Sequence, residues 1–246
     1  MRSFRLAVSL LAFTSLPAFA QEHNTLTPAE KAAGWKLLFD GKTTTGWRNY
    51  RETGLDSLWS ARDGMLTKSR PTKDIVTTEK FTDFELVLDW RLGARQGNAG
   101  LFYRAQEDTN RVYWTAPEYQ LGTDSTPDTR YKDRAGTEFL RAPGAVYDFY
   151  PAKPGTWKNE GEWNTARIVV KGKHVEHWLN GTKIAEYEYW SPDFEAKFKG
   201  SKFANYVENK AVGYLGFARG TSGVIAIQGD HRGELSLRNI KIRELK

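Results

Sequence analysis

The chain has 246 residues, no cysteine and a formal net charge of +6, part of it carried by Arg2 and Arg5. The missing cysteines exclude disulfides, thiolate metal sites and cysteine nucleophiles together, and basic residues scattered among acids argue against a nucleic-acid face. Its 9 Trp, 11 Tyr and 13 Phe either fill a sandwich core or form flat platforms for pyranose rings, and composition does not apportion them.

Arg2 and Arg5 precede an apolar run from Leu6 to Leu16, followed by Ala18-Phe19-Ala20. This pattern predicts a signal peptide over residues 1–20, cleaved after Ala20, and hence a periplasmic or secreted protein. No later stretch approaches the roughly 20 apolar residues of a spanning helix, so no membrane span is expected. Residues 21–34 read as a leader in which Thr27-Pro28-Ala29-Glu30 forms a capping box. Residues 35–246 fit one domain. Trp35 to Phe39 is a short strand, and Gly46-Trp47 reaches a loop where the indole is either a sugar platform or a core residue. Asp63-Gly64 breaks the next strand into a hairpin. Trp59 should point inward, and Lys68, at the hairpin's end, joins the substrate-binding candidates.

Between Asp83 and Arg91, Phe84, Leu86, Leu88 and Trp90 alternate with polar or smaller residues, which predicts a strand in the middle of a sheet. Two site-bearing strands follow. In Gln96 to Arg104, Gly97 and Gly100 flank Asn98, so the chain can turn and re-enter the sheet. Leu101 and Tyr103 then share one face, Phe102 and Arg104 the other. In Ala116 to Asp124, Glu118 and Gln120 share a face opposite Tyr119 and Leu121. A polar surface over a packed one suits a ligand, although Asn98 could equally be a turn residue and Glu118 a solvated carboxylate.

Asp124 to Arg141 is a charged loop without period, ahead of Gly144-Ala145-Val146-Tyr147. Residues 163–188 read as a three-stranded meander turning at Lys171-Gly172-Lys173 and Asn180-Gly181, with His177 on the core face beside Val175 and Leu179. Ser191-Pro192 starts a helix running to Gly200. Gly223 to Gln228 and Glu234 to Glu244 are the last strands, and between them His231 sits in a tight polar turn, placed like a site residue. About a dozen short strands, Gly/Asn/Asp turns and one short helix predict an all-β antiparallel β-sandwich of jelly-roll type.

Read together, Trp35-Lys-Leu-Leu-Phe-Asp-Gly-Lys42, Gly97-Asn-Ala-Gly-Leu-Phe-Tyr-Arg104, Pro117-Glu-Tyr-Gln120, Gly144-Ala-Val-Tyr147, Val175-Glu-His-Trp-Leu-Asn-Gly181 and Arg238-Asn-Ile-Lys-Ile242 resemble the 3-keto-disaccharide hydrolase family over residues 35–246. The resemblance implies a concanavalin-A-like jelly roll, export, and hydrolysis of glycosides whose sugar is oxidised at C3. Two positions depart from the family pattern. Ala99 stands where a serine is common, and the run Gln228-Gly-Asp-His231 is one residue longer than usual.

A C3 ketone changes the chemistry required. Ordinary glycosidases place two carboxylates across the scissile bond. With the ketone, the C2 proton is acidic; a base removes it, the enolate expels the C1 group, and water adds to the enone. One base, one acid and an enolate stabiliser suffice. The candidates are Glu118 and His231 as base and acid in either order, with Arg104 and Asn98 donating toward the C3 oxygen and Gln120, Trp47, Tyr103, Tyr147 and Lys68 binding substrate. An oligosaccharide or glycoside is the expected partner.

A non-catalytic carbohydrate-binding module on the same surface is the alternative; a retaining endoglucanase would have only Glu85 and Asp89 to use. Four histidines give no zinc pattern, and Asp124, Asp128 and Asp133 match no standard calcium loop, so no metal or cofactor is expected.

Overall fold

The computed structural model describes residues 22–93, 97–122, 139–205 and 216–246. The signal-peptide segment and the three loop aspartates lie outside them. In chain order the strands are β1 (Lys36–Leu37), β2 (Trp47–Asn49), β3 (Ser60–Arg62), β4 (Met65–Lys68), β5 (Ile75–Thr77), β6 (Phe84–Leu92) and β7 (Asn98–Ala105). There follow β8 (Glu118–Gly122), β9 (Asn164–Lys171), β10 (His174–Leu179), β11 (Thr182–Glu188), β12 (Val224–Ile227) and β13 (Leu235–Glu244). Helices are short: α1 (Pro28–Ala32), α2 (Pro192–Gly200) and α3 (Lys202–Asn205), plus a 3-10 turn at Val112–Trp114.

The strands form two antiparallel sheets. One has the order β11-β10-β9-β6-β13-β4-β3, with β1 also on β13; the other has the order β2-β5-β12-β7-β8. As its unbroken alternation requires, β6 lies centrally between β9 and β13. Period-2 burial fixes the register, because a one-residue slip would turn every apolar side chain outward. Leu86, Leu88 and Trp90 of β6, with Ile168 and Val170 of β9, face Leu101, Tyr119, Leu121, Ile225 and Ile227 of the smaller sheet in one core.

On β13 the buried residues Leu235, Leu237, Ile240 and Ile242 change parity across a bulge between Arg238 and Lys241, where Asn239 has φ +53°. The chain is an all-β antiparallel sandwich of jelly-roll type.

Local signals explain the turns. Asp63-Gly64 (φ +50° and +74°) and Asn180-Gly181 (φ +49° and +82°) are left-handed pairs joining β3 to β4 and β10 to β11. Ser191 caps α2 by accepting the Phe194 N–H. The leader is docked rather than idle: Asn24 exchanges hydrogen bonds with Asn239 at 2.7 and 2.8 Å, and Glu30 pairs with Lys241.

The smaller sheet's outer face is only partly covered. Val76, Phe102, Ala105, Val112, Ala116, Val224 and Ala226 form a second apolar cluster under the segment that carries the 3-10 turn. Beyond that cluster the same face becomes polar, and the site lies there.

Candidate active site

Strand parity puts Glu118 and Gln120 of β8, Asn98 and Gly100 of β7, and Gln228 at the end of β12 on this outer face. A cavity of about 280 Å³ opens over them. Glu118, Asn98, Gln228, Asp230 and His231 line it together with the rings of Tyr113, Trp114, Tyr147 and Phe203 and the side chain of Lys202.

Glu118 is 9% exposed, and no described residue hydrogen-bonds its carboxylate. Burial pushes its pKa up to about 8; Lys202 opposes the shift, and Asp148, Asp230 and Asp74 reinforce it. Room for the carboxylate comes from Gly100 on the neighbouring strand, where a Cβ would lie 2.4 Å from Glu118 Oε1. His231 is displaced the other way. Burial lowers its pKa, Asp230 resists, and Lys68 and Lys202 add to the lowering. A protonated carboxyl and a neutral imidazole therefore face one cavity near neutral pH.

The turn that carries His231 is held at both ends. At its start, the Gly229 N–H donates to Asp74 Oδ1 at 2.8 Å, and Thr72 N donates to Gly229 O at 3.0 Å. This approach needs glycine, since a Cβ there would sit 2.3 Å from the Lys73 carbonyl oxygen. At its end, Lys68 Nζ donates to the carbonyls of His231 (2.8 Å) and Gly233 (3.1 Å). Asp74 is raised to about 6, chiefly by burial. Lys68 is 1% exposed, and burial lowers its pKa. So Lys68 contacts the His231 turn and does not reach the cavity as a substrate ligand.

Three other candidates are also placed elsewhere. Arg104 does not share the face of Phe102. A bulge on β7 pairs Phe102 with Ala226 and Ala105 with Val224, and Arg104 takes φ +52°, which turns its side chain off that face. Its guanidinium donates to Thr82 O, Gly172 O and Asp83 Oδ1 at 2.8–2.9 Å. Tyr103 lies in the inter-sheet core, its hydroxyl 2.7 Å from His177 Nε2 and 2.8 Å from the Tyr187 hydroxyl. Trp47 is 5% exposed, and its Nε1 donates to Leu38 O. His177 is a core residue, its Nδ1 bonded to Gly144 O at 3.0 Å.

Gln120, expected to bind substrate, is not among the residues that line the cavity; it is 4% exposed, and its Nε2 donates to Asn98 Oδ1 at 2.7 Å. That bond orients Asn98 and leaves its Nδ2 without a partner among the described residues. Tyr147 does line the cavity, with Lys202 Nζ 4.4 Å from its ring centre. Glu85 and Asp89 point from the large sheet toward Arg167, Arg243, Thr165 and Asn239. These bonds remove the endoglucanase pairing.

Sequence reasoning missed Gln228, Asp230, Lys202 and Asp74 as contributors. Gln228 shares the parity of Val224 and Ala226, and Asp74 that of Val76, so alternation could have found both. Lys202 gave no such signal. It arrives because Phe149, Phe194, Phe203 and Phe217 stack at 4.4–5.8 Å and seat α2 and α3 beside the cavity.

The family model described as 3-keto-alpha-glucoside-1,2-lyase-like domain matches residues 34–243. A protein of Bacteroides thetaiotaomicron named 3-keto-disaccharide hydrolase is 32% identical, the match covering 92% of this chain and 83% of the relative. A crystal structure from Parabacteroides distasonis, provisionally named a glycosyl hydrolase, is similar with a TM-score of 0.77 at 31% identity, over 92% of this chain and 100% of that one. A second structure from that organism, under the same provisional name, gives 0.63 at 28% identity over 86% and 99%. With a family model spanning most of its length and a relative this similar throughout, the chain belongs to the 3-keto-disaccharide hydrolase family, whose common unit is the 3-keto-alpha-glucoside-1,2-lyase-like domain.

Proposed function

We propose that the protein is an exported glycoside hydrolase acting on 3-keto-glycosides by C2 proton abstraction, elimination and water addition. The observation that carries this reading is the opposite displacement of two titrating groups over one cavity. Paired groups pushed apart in this way divide acid and base roles between them.

Neutral His231 is the base that takes the C2 proton. Protonated Glu118 gives its proton to the departing C1 oxygen. Asn98 Nδ2 and the Lys202 ammonium stabilise the enolate at the C3 oxygen, the task sequence reasoning gave to Arg104. The C2–H bond breaks to the imidazole, the C1–O bond breaks to the leaving group, and an enone remains. Water then adds at C1 and a proton returns to C2, so the net change is hydrolysis. Elimination followed by hydration also accommodates both the word lyase in the family's description and the word hydrolase in the relative's name.

Tyr147, Tyr113 and Trp114 offer rings against which a pyranose can pack, and Gln120 orients Asn98. These features would serve a pure binding module equally well, so the test separates binding from turnover. Glu118→Gln keeps the shape of the site and removes the proton donor. Turnover of a 3-keto-α-glucoside should fall by about 10²-fold or more while its binding, read by calorimetry, stays within about threefold. Undiminished turnover contradicts the assignment, and a parent that binds but never turns over supports the module.

Export rests on the leader pattern. The protein recovered from the cell envelope should begin at Gln21; recovery with Met1 intact contradicts cleavage.

A further inference from the structure

The cavity holding Glu118 and His231 does not stand alone. Asp230, on its wall, also borders a second depression of about 270 Å³, lined by Tyr50, Thr72, Asp74, Asn110 and Arg111. Cavities for drug-sized ligands run to roughly 300–1,000 Å³, so the first has room for one sugar ring and little more.

The second cleft has the chemistry of a polyol site. Its carboxylates outnumber its cations: Glu52, Asp74 and Asp230 stand against Lys73, which is paired with Glu52 at 2.7 Å, and Arg111, which acts electrostatically on Asp74. The lining lacks the positive excess that a phosphate or carboxylate ligand would require. Donors and acceptors are nevertheless in place. The Thr72 hydroxyl oxygen is buried without a partner. The Asn110 and Arg111 side chains are exposed and make no hydrogen bond among the described residues. The Tyr50 hydroxyl is taken by Gln106 O and Thr109 O at 2.9 and 3.0 Å, which fixes the half-buried ring as an apolar wall. A flat apolar wall beside hydroxyl-seeking groups fits a neutral, hydroxylated ring.

We infer that this cleft is the subsite for the leaving group, a second neutral sugar ring, with the scissile bond passing over Asp230. The inference rests on the reading of the first cavity as the 3-keto-sugar site. It makes Asn110 and Arg111 specificity residues for the part of the substrate that departs.

The experiment compares the parent with Asn110→Ala/Arg111→Ala on two substrate kinds: the set of α-linked glucosyl-glucoses oxidised at C3, and methyl 3-keto-α-glucoside. The double variant should lose at least about tenfold in kcat/KM on the best disaccharide and stay within about twofold on the methyl glycoside. An equal loss on both, or no loss on the disaccharide, overturns the subsite.

A parent inactive on every member refutes the reading of the first cavity instead. The subsite is then read by calorimetry with the unoxidised disaccharides and methyl α-glucoside. Weakening of about tenfold confined to the disaccharides supports it, and equal binding by parent and variant overturns it.

Discussion

Gly100 lies diagonally across the β7–β8 pair from Glu118, whose register partner is Phe102, and a methyl group on Gly100 would lie 2.4 Å from Glu118 Oε1 and 2.7 Å from its Cδ. The carboxyl thus lies against bare backbone, and its position depends on a missing side chain one strand away. Gly100 has no positive φ, so alanine is tolerated by the backbone and it is the Glu118 side chain, from Cγ outward, that must move. Gly100→Ala should lower kcat by about 10²-fold, since an ångström of misplacement costs that much. Its Tm should fall modestly, because the added methyl overlaps the buried Glu118 side chain from Cγ to Oε1, and overpacking outweighs alanine's better fit to a strand interior. Steady-state kinetics and a thermal melt on the same preparation check both halves; unchanged kcat would dissociate Glu118 from the chemistry.

The raised pKa of Glu118 makes it a stability liability at alkaline pH. Unfolded, the carboxyl titrates near 4.5; folded, near 8. Its stabilising contribution is full below 4.5, where both states hold the proton. It is lost as pH rises through 8, because the unfolded state releases the proton first. Each pKa unit corresponds to about 1.36 kcal/mol. Glu118→Gln should therefore melt above the parent at pH 8, by an increment that shrinks toward pH 4. A parallel pair of Tm-against-pH curves would contradict the shift.

The same two groups set the rate profile. With His231 as base and Glu118 as acid, kcat/KM should rise on the acid side below pH 6.5 and fall near pH 8. Lys68 helps hold the imidazole pKa down. Lys68→Met should move the acid limb to higher pH and also lower kcat, because the His231 and Gly233 carbonyls lose their donor. A drop in kcat with no movement of the limb would mean that Lys68 acts on the fold alone.

Arg104 supplies the opposite control. It binds Thr82, Gly172 and Asp83 at 2.8–2.9 Å, joining β7 to the start of β6 and to the β9–β10 turn. Arg104→Ala should cost about 2–3 kcal/mol, below the figure for a fully enclosed pair because Asp83 is 28% exposed. In a protein of this size that lowers Tm by roughly 5–10 °C. Activity per folded molecule should be unchanged, and a selective loss of kcat would return Arg104 to the site.

What could be read beforehand followed from periodicity. The central position of β6, the hairpins at Asp63-Gly64 and Asn180-Gly181, the Ser191 cap and the shared face of Glu118 and Gln120 all depend on neighbours in sequence. Arg104 was misplaced because one residue at φ +52° inverts the parity that alternation assumes. Trp47 and Tyr103 carry flat rings that suggested sugar platforms, yet both rings pack in the core and each polar atom is bonded inside the protein. Asp74 shares the parity of Val76 and was open to the same alternation argument, whereas Lys202 depends on how distant segments dock, through a phenylalanine stack. That docking leaves no local pattern to read.

The central claim is that the C2 proton leaves during turnover, and isotope incorporation tests it most directly. A 3-keto-α-glucoside turned over in deuterium oxide should release a sugar carrying one deuterium at C2, seen by NMR as loss of that proton signal. Release of a sugar that keeps its original hydrogen at C2 would contradict the account, whatever the rate.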